Sequence, residues 1–126
     1  TVTESISEAT VEIAAEVGAR AIITATMSGA TARMVARHRP SVPIVAVTPN
    51  RRTLARLLLV WGVTPILVPR FVATDEMIAL MVQTARQEGL VRPGDQVVLT
   101  AGIPFGGEGL TNMLKVHRVA EEEGKG

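Results

Sequence analysis

Apolar positions along the chain follow two rhythms: short unbroken runs, and longer stretches where they recur every third or fourth residue. The runs at 21–26, 44–48, 63–68 and 97–100 are too short for helices and read as strands buried on both faces. The helical rhythm fills the gaps. Residues 3–17 place Ile6, Ala9, Ile13 and Val17 at helical spacing, with a Thr1-x-x-Glu4 capping box and Gly18 at the end. A second helix spans 31–38 and stops at Arg39-Pro40. Asn50 caps a third, in which Leu54, Leu57, Leu58 and Trp61 share a face and Gly62 closes the end. Thr74 as N-cap, with Asp75 and Glu76 in the first turn, opens a fourth, whose inner stripe is Met77, Ile78, Met81, Val82 and Ala85. A last strand, 112–119, sets Met113, Lys115 and His117 against Leu114, Val116 and Arg118, as an edge strand with one wet side would.

Strands separated by single helices and short turns predict an α/β three-layer sandwich, a five-stranded mostly parallel sheet with helices on both faces. The expected order is 3-2-1-4-5. The final strand follows a loop without a crossover helix, so it is expected to run antiparallel. Residues 1–120 are expected to form one domain and 121–126 a frayed tail. In such sheets ligands sit beyond the carboxyl ends of the strands where the order reverses, here between strands one and four.

Composition narrows the picture. The 126 residues suffice for one core, and with 47% hydrophobic but 2% aromatic residues that core must be aliphatic. A net charge of +1 with few stacking rings argues against nucleic acid. No cysteine is present, so neither disulfides nor cysteine-ligated zinc is expected, and a reducing cytoplasm fits. The longest apolar stretch is 57–61 and no charged-then-apolar leader opens the chain, so neither a membrane span nor a signal peptide is expected.

Two glycine-bearing loops carry the candidate chemistry. The first, Thr26-Met27-Ser28-Gly29-Ala30-Thr31, joins a strand to a helix, so amides, hydroxyls and a positive helix end meet where a phosphate could sit. Its candidate ligands are Thr26, Ser28, Gly29, Ala30 and Thr31, with Arg33 as a helper. The second, with Gly102, Gly106, Gly107 and Gly109, follows strand four and is expected to form the opposite wall. A dinucleotide fingerprint and a P-loop are both missing. His38 and His117 lack acidic partners at ligand spacing and read as structural or solvated. Glu108 is the one acid in the two loops, too little for a small enzyme. Glu4, Glu8, Glu12 and Glu16 recur every fourth residue, a repulsive spacing. Either the face is solvated, or cations such as Arg33 and Arg37 of the same or a neighbouring subunit offset it.

The stretches Ala21-Ile22-Ile23-Thr24-Ala25-Thr26-Met27-Ser28-Gly29, Arg39-Pro40-Ser41-Val42-Pro43-Ile44-Val45-Ala46-Val47-Thr48-Pro49-Asn50, Val60-Trp61-Gly62-Val63 and Thr74-Asp75-Glu76-Met77, then Gly102-Ile103-Pro104, Thr111-Asn112 and Lys115-Val116-His117, resemble the C-terminal domain of pyruvate kinase over nearly the whole chain. The resemblance implies a five-stranded α/β domain that helps build a homotetramer and binds a phosphorylated allosteric effector. It places the effector phosphate on residues 26–31 and the second effector loop on 102–109. Family members that bind fructose 1,6-bisphosphate carry basic residues there, whereas Met27, Ala30 and Gly107 are uncharged. AMP, ribose 5-phosphate or glucose 6-phosphate is therefore expected ahead of the bisphosphate. The family's phosphoryl transfer from phosphoenolpyruvate to ADP, with magnesium and potassium, belongs to a (β/α)₈ barrel outside these residues. The domain alone is thus expected to be inactive and to hold no cofactor. A chain opening at its first helix without Met is expected of a domain cut from a longer protein. The alternative is a free-standing sugar-phosphate or nucleotide sensor of the same fold.

Overall fold

Each apolar run forms a strand. In the computed structural model, which describes residues 1–70, 74–101 and 111–121, these are β1 (Ala21–Ala25), β2 (Ile44–Thr48), β3 (Val63–Leu67) and β4 (Gln96–Ala101), joined by β5 (Met113–Arg118). They make one sheet in the order β3-β2-β1-β4-β5, as expected. β1 pairs in parallel with β2 and β4, and β2 with β3, while β5 runs antiparallel to β4. Every residue of β1 and β2 is buried. β3 lies at one edge, partly exposed, and carries Pro65, a residue that an edge strand tolerates because one of its sides has no neighbour to bond.

Three helices cover one face of the sheet: α1 (Val2–Val17), α2 (Ala30–Arg37) and α3 (Arg51–Leu57). α4 (Thr74–Gln87) covers the other. Strand alternation sorts the core accordingly. Ile23, Val45, Val47 and Leu99 meet Met77, Met81, Val82 and Ala85 of α4. Ile22, Ile44 and Val98 point the opposite way, toward Ala14, Val35 and Ala36. No helix among the described residues is long and apolar enough to cross a membrane.

Two expectations are corrected. The face that α1 buries is Thr3, Ser7, Thr10 and Ala14, not the more hydrophobic Ile6, Ala9, Ile13 and Val17, which are only partly covered. The strands beneath present Thr24 and Thr100, so short side chains meet short side chains, while Ile13 and Val17 flank the core. The capping box Thr1 to Glu4 and the left-handed Gly18 are as expected. The helix expected to reach Trp61 ends at Leu57. Beyond it the amides of Leu59 and Val60 donate three residues back, to Arg56 and Leu57, a tighter winding that turns Leu58, Leu59 and Trp61 outward. Only Leu57 of that expected face is fully buried. Smaller shifts of a residue or two move the ends of α1, α2, β1, β3, β4 and β5.

Candidate functional site

β1 is the central strand, and its carboxyl end faces the point where the order reverses between β1 and β4. The chain leaves it at Thr26, whose amide still bonds Val47 of β2 (3.0 Å), and turns into α2 within four residues. Gly29 makes the turn with φ 89°, in the left-handed region. A methyl group built on it would stand 3.0 Å from Arg33 Nη1 and 3.3 Å from Leu57 Cδ2 and Thr53 Cγ2, so conformation favours glycine and these side chains would have to yield slightly to anything larger. The same contacts show that Arg33 reaches back one turn and holds its guanidinium over the loop. α3 braces the loop from the side, where the Thr53 hydroxyl donates to the Met27 carbonyl (2.6 Å).

The five sequence candidates divide by role. The Gly29 amide donates to Thr26 Oγ1 (2.8 Å) and the Ala30 amide to Ser28 Oγ (3.3 Å), so those two N–H groups are satisfied within the loop. Each of those hydroxyls keeps its own proton for a further partner. α2 begins without a side-chain cap, and the amides of Thr31 and Ala32 find no acceptor among the described residues. Those two amides, at the positive end of α2 and beside the Arg33 guanidinium, are the donors an anion would meet. The Thr31 hydroxyl is hydrogen-bonded to that of Thr111, either of the two donating. The Thr111 amide in turn donates to Thr3 Oγ1 (3.0 Å), tying the loop to the first turn of α1. Below this chain of hydroxyls, Thr24 and Thr100 are register partners on β1 and β4, and their hydroxyls and that of Ser7 are buried without a hydrogen-bond partner among the described residues.

The second loop's Gly102, Gly106, Gly107, Gly109 and Glu108 lie outside the described residues. Its stems do not. β4 ends at Ala101, whose carbonyl accepts from the Asn112 amide (3.1 Å), and Thr111 touches Thr31, so both loops spring from adjoining strands. Sequence reasoning missed Thr53, Leu57 and Thr111. Thr53 and Leu57 belong to the helix that Asn50 was seen to cap, but nothing in their spacing tells that they brace another loop.

The remaining candidates stand apart. His38 is exposed at the end of α2. His117 lies on β5, where partial burial, with Lys115 adding to it, holds its pKa below the ordinary value. Glu4, Glu8, Glu12 and Glu16 are all exposed, and among the described residues none forms an ion pair with Arg33 or Arg37. No group of three metal-ligating side chains occurs among the described residues. The loop thus offers amides, hydroxyls and a guanidinium, equipment for holding a small anion.

A family model described as the pyruvate kinase alpha/beta domain matches residues 4–117. Pyruvate kinase of Geobacillus stearothermophilus is 44% identical over 126 residues, all of this chain and 22% of the relative. That of Clostridium acetobutylicum is 47% identical over 114 residues, covering 90% of this chain and 24% of the relative. That of Lactobacillus delbrueckii subsp. bulgaricus is 42% identical over 125 residues, 99% of this chain and 21% of the relative. The chain therefore spans less than a quarter of the length of these curated relatives. By the reach of the family model and by these identities, the chain belongs to the pyruvate kinase alpha/beta domain family.

Proposed function

We propose that this domain is the effector-binding and oligomerising part of a pyruvate kinase, the transfer of a phosphoryl group from phosphoenolpyruvate to ADP being done by a barrel outside the 126 residues. The observation that carries the reading is the pair of acceptorless amides at Thr31 and Ala32 with the Arg33 guanidinium held over Gly29. Two amides, one guanidinium and the Ser28 hydroxyl suit a single phosphate group. With no cation at Met27 or Ala30, the loop favours a monophosphate such as ribose 5-phosphate, glucose 6-phosphate or AMP over fructose 1,6-bisphosphate.

The action is indirect. Occupying the loop pulls on Thr31, and the Thr31 to Thr111 to Thr3 connection carries the change to α1, whose exposed carboxylates face outward to a neighbouring subunit of a homotetramer. A coupling of about 1–3 kcal/mol between effector and active site is the usual scale for such devices. Calorimetry with the four phosphates tests the site. Heat of binding is expected with a monophosphate and is expected to vanish in Arg33→Gln; no heat with any of them at about millimolar concentration would overturn the reading. Kinase assay of the 126 residues alone is expected to give no turnover.

A further inference from the structure

A second anion-seeking feature lies away from the loop, on the outer side of α2. Arg33 and Arg37 sit one turn apart, Arg39 follows the helix, and Val60 and Trp61 face them from the turn after α3. With Ala36 they line a groove of about 400 Å³, a volume within the range of small-molecule sites. Trp61 is 72% exposed, an unusual position for the chain's one tryptophan. The guanidinium carbon of Arg39 stands 5.1 Å from the centre of its ring, a cation–π stack that covers one face and leaves the indole open to the groove.

The backbone at Arg39 is also uncommon. Its φ of 48° makes it the non-glycine residue with positive φ among the described residues. Such a conformation is disfavoured for a side chain of this size, and it is held here at the residue that stacks on Trp61. Nor are the charges spent elsewhere: among the described residues none of the three arginines is ion-paired with a carboxylate. Glu4 feels Arg37 only as the least of the influences on its carboxyl.

We propose that this groove is a ligand site separate from the phosphate loop, and that it takes a nucleotide, with the base against Trp61 and Arg39 and the phosphate at Arg37. Guanidiniums alone would accept any anion. The exposed indole is what selects a flat aromatic partner, because a base stacks on it at no cost in hydrogen bonds. Arg33 stands between the two sites, its Nη1 over Gly29 and its stem in the groove.

With one tryptophan and no tyrosine, intrinsic fluorescence reports on the groove directly. AMP is expected to quench it in a saturable way, ribose 5-phosphate to leave it unchanged, and adenosine to act at least about tenfold more weakly than AMP. Combining Arg37→Gln with Arg39→Gly, the latter suited to the local φ, is expected to weaken AMP by about tenfold or more. Ser28→Asp, which sets a carboxylate against phosphate in the loop, is expected to abolish sugar-phosphate heat in calorimetry while sparing the AMP quench. That contrast separates failure of the groove from failure of the loop. Absence of quenching, equal quenching by adenosine, loss of the AMP signal in Ser28→Asp, or tighter competition by a glutamate-rich peptide than by AMP would each overturn the proposal.

Discussion

The two faces of the sheet are built from different material. Toward α4 the strands present Ile23, Val45, Val47 and Leu99 to two fully buried methionines, Met77 and Met81, a dry aliphatic layer. Toward α1 the same strands present Thr24 and Thr100 to Thr3, Ser7 and Thr10, and three of those hydroxyls have no hydrogen-bond partner among the described residues. One face is optimised for cohesion. The other gives up apolar burial for hydroxyl groups packed beneath α1. Aliphatic and hydroxyl-bearing packing are thus divided between the two sides of one sheet.

Breaking the dry side should have the largest effect. Met81→Ala is expected to lower the unfolding free energy by about 2–5 kcal/mol, read from denaturant midpoints, since Met81 is fully buried and its truncation leaves a cavity. On the polar side Thr31→Val strands the Thr111 hydroxyl; a loss of about 1–3 kcal/mol is expected, together with weaker transmission from the loop to α1 measured by amide exchange in its first turn. Thr24→Val removes a hydroxyl that has no partner, so unfolding should be unchanged or slightly harder. A loss above about 1 kcal/mol there would reveal an internal water bridging Thr24, Thr100 and Ser7, and would sharpen the contrast between wet and dry faces. The smallest effect is expected at the sheet edge. His117 has a lowered pKa when folded, so between that value and its ordinary one the unfolded chain binds more protons. Stability should therefore rise with pH through that window and fall on acidification, and His117→Gln should flatten the slope.

Much of this was legible in the chain. Strands buried on both faces announce themselves as unbroken apolar runs, and the short glycine-bearing stretch between the last two strand patterns led to the expectation of an antiparallel β5, as found. The glycine at 29 and the strand-to-helix context pointed to a tight turn, and Gly29 makes it with a left-handed backbone at the start of α2. What stayed hidden depended on rotation and on distant partners. α1 buries Thr3, Ser7 and Thr10, which no hydrophobic pattern selects, because the strands beneath it are themselves hydroxyl-lined. Trp61 and Leu58 read as core by type and spacing, yet the tightened turn after Leu57 puts them outside. The division of the loop's amides into satisfied and open ones follows from the side-chain bonds of Thr26 and Ser28, which spacing alone cannot give.

The claim on which the functional account rests is that Thr31 and Ala32 present open amides to a phosphate. Titrating the ¹⁵N-labelled chain with ribose 5-phosphate and following amide resonances tests it most directly. The largest, saturable shifts are expected at the Thr31 and Ala32 amides, followed by Ser28 and the Arg33 side chain. Saturable shifts confined to other residues, or none at all, would contradict it.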